Sequence, residues 1–309
     1  MSIFILLVTN ALPLLVLIGL GFFAGRKFHL DTMTLANVAI FIVAPIVNFG
    51  AMTKLHFEPA YLLLPVILYF FAAGLSLLAY KISNSALKDQ RASIIGMAAG
   101  NGNTGYFGLP VVLALFGSDV LGIYLLMNLS IALCEVTVGY YLGARTQSSV
   151  KESLRKVVRL PHLYAVTAGL ALNLCDIPMP AVFYTYWDKF VGTWIIIGMM
   201  IMGATLAKIP KFTINLPLLG TLLVTKFIIW PLGVYGLILL DKHILHLFDA
   251  QVHAMMLILS LVPLAVNTVA FAIKLDLKAG DAAIAVLIST VIAIFYLPLI
   301  LILSGLVTP

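Results

Sequence analysis

Two stretches far apart in the chain carry the side chains best suited to hold a small charged molecule. Asn101, Asn103 and Thr104 stand in Ala98-Ala-Gly-Asn-Gly-Asn-Thr-Gly-Tyr-Phe-Gly-Leu-Pro110. Asn267 and Thr268 stand in Pro263-Leu-Ala-Val-Asn267-Thr268. An asparagine amide supplies both a donor and an acceptor, and a threonine hydroxyl does the same, so these residues can serve a ligand or an orphaned backbone group. Lys226 adds a cation and Glu135 an acid. Asn128, seven residues before Glu135, falls on the same helical face. Asn48 is a further candidate to face a substrate.

The elements that must position these groups are apolar throughout. The chain has 309 residues, of which 62% are hydrophobic and 10% charged, with a mean hydropathy of +1.13. That composition excludes a soluble globular domain and identifies an all-α polytopic membrane protein. A membrane β-barrel is excluded because its strands alternate apolar and polar residues, whereas these runs are apolar all round. Spans of about 20 residues predict ten helices, near residues 3–25, 35–52, 60–80, 92–116, 120–142, 161–175, 190–207, 214–240, 250–273 and 281–306. The first is expected to be retained, having no basic residue before it and no cleavage site. Residues 183–189, with Tyr184, Tyr186 and Trp187, read as an interfacial stretch. Cys134 and Cys175 read as buried thiols.

Charge tests the layout. Fourteen of the 18 lysines and arginines fall in loops 1, 3, 5, 7 and 9. That bias puts those loops in the cytoplasm and both termini outside. The net charge of +6 therefore sets orientation and does not imply nucleic acid. Five spans (1–142) precede a basic linker (143–160) and five follow it (161–309). Five is odd, so the two halves have opposite orientation. Asn103-Thr104 in the fourth span is matched by Asn267-Thr268 in the ninth. Gly50-Ala-Met-Thr-Lys54 in the second is matched by Gly203-Ala-Thr-Leu-Ala-Lys208 in the seventh. These pairs argue for a 5+5 inverted repeat.

The fourth and ninth spans are written in helix breakers. Gly102, Gly105 and Pro110 weaken one, and Pro263 the other. Unwound backbone cannot face lipid, so it must be buried in protein or line a wet cavity. Each half-helix then presents an N-terminus that suits a carboxylate and a C-terminus that suits a cation. Isolated kinks could merely repair themselves, but two at repeat-related positions point to a binding site. Lys226, about 18 Å into its helix at 1.5 Å per residue, should face the interior. It reads as a counter-charge for an anion, as the partner of a carboxylate, or as a capper of the Phe227 carbonyl freed by Pro231. Glu135 reads as an ion-pair partner of Lys226 or as a proton carrier. The histidines, including the His243/His246 pair, offer no third ligand, so neither a metal site nor any other cofactor is expected.

Asn37, Ala44-Pro45 and Asn48, the Gly100–Pro110 element, Lys226 before Trp230-Pro231, and Pro263–Thr268 together resemble the auxin efflux carrier family in its short bacterial form. The likeness covers essentially the whole chain. It implies a ten-helix inverted-repeat fold related to sodium/proton antiporters and bile-acid transporters, with broken helices 4 and 9 crossing near the midplane. It further implies a multi-pass protein of the bacterial inner membrane that moves small organic anions: malonate, malate or auxin-like acids. Proton or sodium coupling and a homodimer formed through scaffold helices 1, 2, 6 and 7 belong to the same expectation. The plant members' long central hydrophilic loop is absent. A monovalent cation/proton exchanger of this fold, or a membrane sensor, are the alternatives. No His-Glu-x-x-His pattern, nucleotide loop or membrane aspartate pair points to an enzyme.

Overall fold

A computed structural model of the chain describes residues 3–143, 161–208 and 214–306. The basic linker with Arg145, Lys151, Arg155, Lys156 and Arg159, together with Lys211, lies outside the described residues. Within them all regular structure is helical. The helices are α1 (Ile3–Lys27), α2 (Thr32–Thr53), α3 (Pro59–Leu87), α4 (Gln90–Ala99), α5 (104–116), α6 (Leu121–Gly143), α7 (Pro161–Leu174), α8 (Ala181–Ala207), α9 (Leu216–Leu245), α10 (Ala250–Leu261), α11 (Asn267–Lys274) and α12 (Ala279–Ser304). Six of them, α2, α3, α6, α8, α9 and α12, are each long and apolar enough to cross a bilayer. The short helices fall where the breakers are: residues 100–103 separate α4 from α5, and 262–266 separate α10 from α11.

The helices sort by packing. α1 lies along α8, and α2 packs on α7 and α8. α3 packs on α4 and α6, while α12 packs on α9, α10 and α11. Small residues set the closeness of α1 and α8. A Cβ on Gly21 would strike the Met200 backbone, and one on Gly203 would strike the Ile18 carbonyl. In a membrane, where lipid is as apolar as leucine, such backbone approach is what holds helices together.

Three prolines explain three local widenings. A proline ring collides with the carbonyl four residues before it. For Pro45, Pro110 and Pro231 those carbonyls belong to Phe41, Tyr106 and Phe227. Each lies inside a π turn: Ala39–Val43, Thr104–Gly108 and Thr225–Ile229. The wider turn moves the carbonyl aside and lets the helix continue. Pro110 therefore does not break the helix; the break lies upstream, at 100–103. A further π turn, Glu135–Gly139, begins at the acid of α6.

Two expectations are corrected. Residues 183–189 belong to the first turns of α8 and are not a separate stretch before it. Trp187 is buried, donating its indole N–H to the Val47 carbonyl at 3.0 Å, because Gly50 of α2 leaves its ring the space a Cβ would fill. Cys175 is exposed while Cys134 is buried; Cys175 follows the last turn of α7, beyond the packed face.

Candidate functional site

The two breaks touch. The Asn103 N–H donates to the Pro263 carbonyl at 2.9 Å, joining one unwound segment to the other. Around this point the backbone is held from every side. Asn101 Oδ1 accepts from the Gly102 N–H at 3.1 Å. The Asn103 carbonyl accepts from both Phe107 and Gly108 N–H. The Tyr124 hydroxyl donates to the Thr104 carbonyl at 2.9 Å, and only the missing Cβ of Gly108 lets that hydroxyl in. Thr104 Oγ1 donates to Asn128 Oδ1 at 2.5 Å. The orphan carbonyl at the end of α4, Ala99, is capped by the Trp230 indole N–H at 2.5 Å. On the second break, the Leu264 N–H donates to Ser289 Oγ at 3.1 Å.

What remains unpaired is the more telling set. Among the described residues, Asn101 Nδ2, Asn103 Nδ2, Glu135 Oε1, His162 Nδ1, Lys226 Nζ, His253 Nδ1, Thr268 Oγ1 and Ser76 Oγ are buried without a hydrogen-bond partner. Ser76 stands against Gly100; the others belong to the breaks or to the helices beside them. Buried polar groups are normally satisfied, and an unmade bond costs about 1–3 kcal/mol each. Such a cluster is a place prepared for something else to bind.

The helix starts differ in how they are capped. Those of α2, α4, α9 and α10 are capped by side-chain oxygens of Asp31, Asp89, Asn215 and Asp249. The exposed Asp31 carboxyl sits below the usual range because Thr34 and the Met33 N–H donate to it. The starts of α3, α5, α6, α8, α11 and α12 carry no side-chain cap; those of α5 and α11 stand at the two breaks. At α11 the Thr268 and Val269 N–H groups already donate to the Ala265 and Val266 carbonyls, so the start of α5 is the better seat for an anion.

Both starts open on one cavity of about 130 Å³, room for roughly four waters at about 30 Å³ each. Its polar end is formed by Asn103, Thr104, Asn128, Glu135 and Asn267, with Gly102 and Gly105 as bare backbone. The Glu135 carboxyl lies against the side-chain amides of Asn101 and Asn267, yet its Oε1 closes no bond. The rest of the wall is apolar or aromatic: Ile40 and Ala44 of α2, Tyr106 of α5, Ile131, Ala132 and Val136 of α6, Trp194 of α8, Phe271 of α11, and Ala265 and Val266 of the second break. Tyr106 and Trp194 meet edge to face with centroids 6.2 Å apart. His162, at the start of α7, closes the lining.

Not every candidate from the sequence reaches this cavity. Asn48 is buried but donates to its own helix at the Ala44 carbonyl, 2.7 Å away. Asn101, Thr268 and Lys226 are absent from the lining. Lys226, 1% exposed, stands behind the first break: a Cβ added to Gly102 would lie 2.7 Å from its Nζ, and its ammonium rests over the Trp230 ring, 4.6 Å from the centroid. No ion pair joins it to Glu135; the ion pairs of the described residues lie elsewhere. Nor does it cap the Phe227 carbonyl, which accepts instead from the Tyr296 hydroxyl. Sequence reasoning missed His162, Tyr106, Trp194 and Phe271. It also missed the buried Asp241–His253 pair, 2.8 Å apart, which ties the end of α9 to α10.

These helices define a polytopic α-helical membrane protein with a polar cavity at a meeting of two unwound segments. The chain is 24% identical over 216 residues, 67% of each chain, to a protein of Methanocaldococcus jannaschii named uncharacterized transporter MJ1031. No protein-family model matches.

Proposed function

We propose that the protein is a secondary transporter of small organic anions, mono- or dicarboxylates. One observation carries the reading: the Asn103–Pro263 hydrogen bond joins two breaks that open on a single cavity lined by Asn103, whose side-chain amide is unpaired. A carboxylate fits this arrangement because it accepts several N–H bonds and complements the positive start of α5. The relative's name supports transport in general. In this reading α4–α5 and α10–α11 each form one interrupted crossing, giving ten crossings in two inverted halves. α1, α2, α7 and α8 form a scaffold, through which two copies pair, and the remaining helices carry the site past it. The lining reaches His162 and Phe271, near the ends of α7 and α11 that face loops 5 and 9. Those loops carry the basic residues, so the anion enters here from the cytoplasmic side of a cell membrane. Asn103, Thr104 and Asn267 touch the substrate, and Asn128 holds Thr104 in place.

Radiolabelled malonate, malate and indole-3-acetate uptake into proteoliposomes tests this. Asn103→Ala and Asn267→Ala should each abolish saturable uptake while leaving the detergent-solubilised protein monodisperse. Normal transport by both variants would remove the site from consideration, and the absence of carrier-mediated uptake of any acid by the unmodified protein would remove the function.

A further inference from the structure

The cavity that offers so much to an anion also contains a carboxyl group. Glu135 lines the same space of about 130 Å³ as Asn103, Thr104 and Asn267, so an anion held by those residues lies within a few ångströms of it. Two negative charges so close in an interior of effective dielectric near 20 weaken each other's binding by roughly 10²–10³-fold. Lys226 stands behind Gly102 and not in the cavity, so it offsets this repulsion only in part. Among the described residues no ion pair joins Glu135 to a lysine or arginine, and its carboxyl lies against the amides of Asn267 and Asn101.

The other titratable groups that face it can be named element by element. From α5 comes Tyr106 and from α7 His162, both in the lining. On α6 itself Cys134 is adjacent. From α9 Lys226 stands at the first break, on Gly102, but does not line the cavity. α2, α8 and α11 present only Ile40, Ala44, Trp194, Asn267 and Phe271 among the lining residues.

We infer that Glu135 binds one proton whenever the cavity binds its anion, so that each anion crosses with one proton and the protein is a proton–anion symporter. This deepens the organic-anion reading and rests on it. The balance is simple. The empty site holds the Glu135 carboxylate; binding takes up one anion and one proton; the loaded site carries a neutral carboxylic acid whose O–H can donate to the anion. Release on the far side frees both, and the carboxylate recrosses empty. The unpaired Oε1 is the oxygen available to carry the proton.

Two measurements test it. Malonate added to the purified protein in weakly buffered detergent solution, followed with a pH dye, should take up one proton per bound anion in excess of what malonate itself exchanges. In proteoliposomes, malonate uptake should rise severalfold with an alkaline interior. Glu135→Gln should remove both responses, so that the remaining flux follows the membrane potential with one more net negative charge per anion. Uptake by the unmodified protein that ignores the pH gradient and binding without proton uptake would overturn the inference while leaving the transport of anions standing. Loss of the proton in His162→Gln and its retention in Glu135→Gln would overturn the assignment to Glu135. If Glu135→Gln fails to fold, the proton count on His162→Gln decides the assignment: retention supports Glu135 and loss overturns it. Absence of anion binding altogether is the failure of the underlying reading, and is distinguished by it.

Discussion

Lys226→Met separates a functional cation from a structural one. The side chain keeps its length and loses its charge. Its ammonium abuts Gly102, and Gly102 also forms part of the cavity wall, so only a strip of backbone without a side chain divides the charge from a bound carboxylate. A charge separation of about 7 Å and an effective dielectric of about 20 give an attraction of about 2.4 kcal/mol, or roughly 50-fold in affinity. Stability should move the other way. Lys226 Nζ has no hydrogen-bond partner, and the face of Trp230 is its nearest named neighbour outside the break. An unpaired buried charge is unfavourable, and its replacement by an apolar residue of similar volume gains on the order of 1–3 kcal/mol. Lys226→Met should therefore bind radiolabelled malonate roughly 50-fold more weakly in detergent while unfolding at a temperature equal to or above that of the parent protein. A variant that binds as tightly as the parent but melts several degrees lower would refute the reasoning and make the lysine a structural post.

Two substitutions probe the frame around the site. Tyr296→Phe leaves the Phe227 carbonyl, which now accepts from that hydroxyl, without a partner beside Pro231; the loss should be about 1–3 kcal/mol of stability, read as a lower unfolding midpoint, and an unchanged midpoint would mean that the carbonyl finds another donor. Gly203→Val forces α8 away from the Ile18 carbonyl of α1 and should leave little folded protein by size-exclusion chromatography, whereas a folded, active variant would show that the α1–α8 packing is soft.

Composition alone made this a helical membrane protein, because so few polar groups can be solvated by lipid. The two breaks were equally legible, since glycine, proline and asparagine cluster there inside otherwise apolar spans. Asn103, Thr104 and Asn267 could be read as cavity residues because they sit in those breaks themselves. Lys226 was legible as an interior residue but not in its placement; the sequence left three partners open, and the fold gives the carbonyl to Tyr296 and sets the ammonium behind Gly102.

Only the tertiary structure decided the rest of the wall. His162, Trp194 and Phe271 are ordinary residues of three different helices, and nothing in their local pattern distinguishes them from packing residues. They share a cavity because the helices converge on it. Trp187 and Cys175 were misread for the matching reason: burial depends on what lies opposite, Gly50 in one case and nothing in the other. A sequence states which backbone cannot stay helical in lipid; which side chains surround that backbone is set by contacts between residues more than a hundred positions apart.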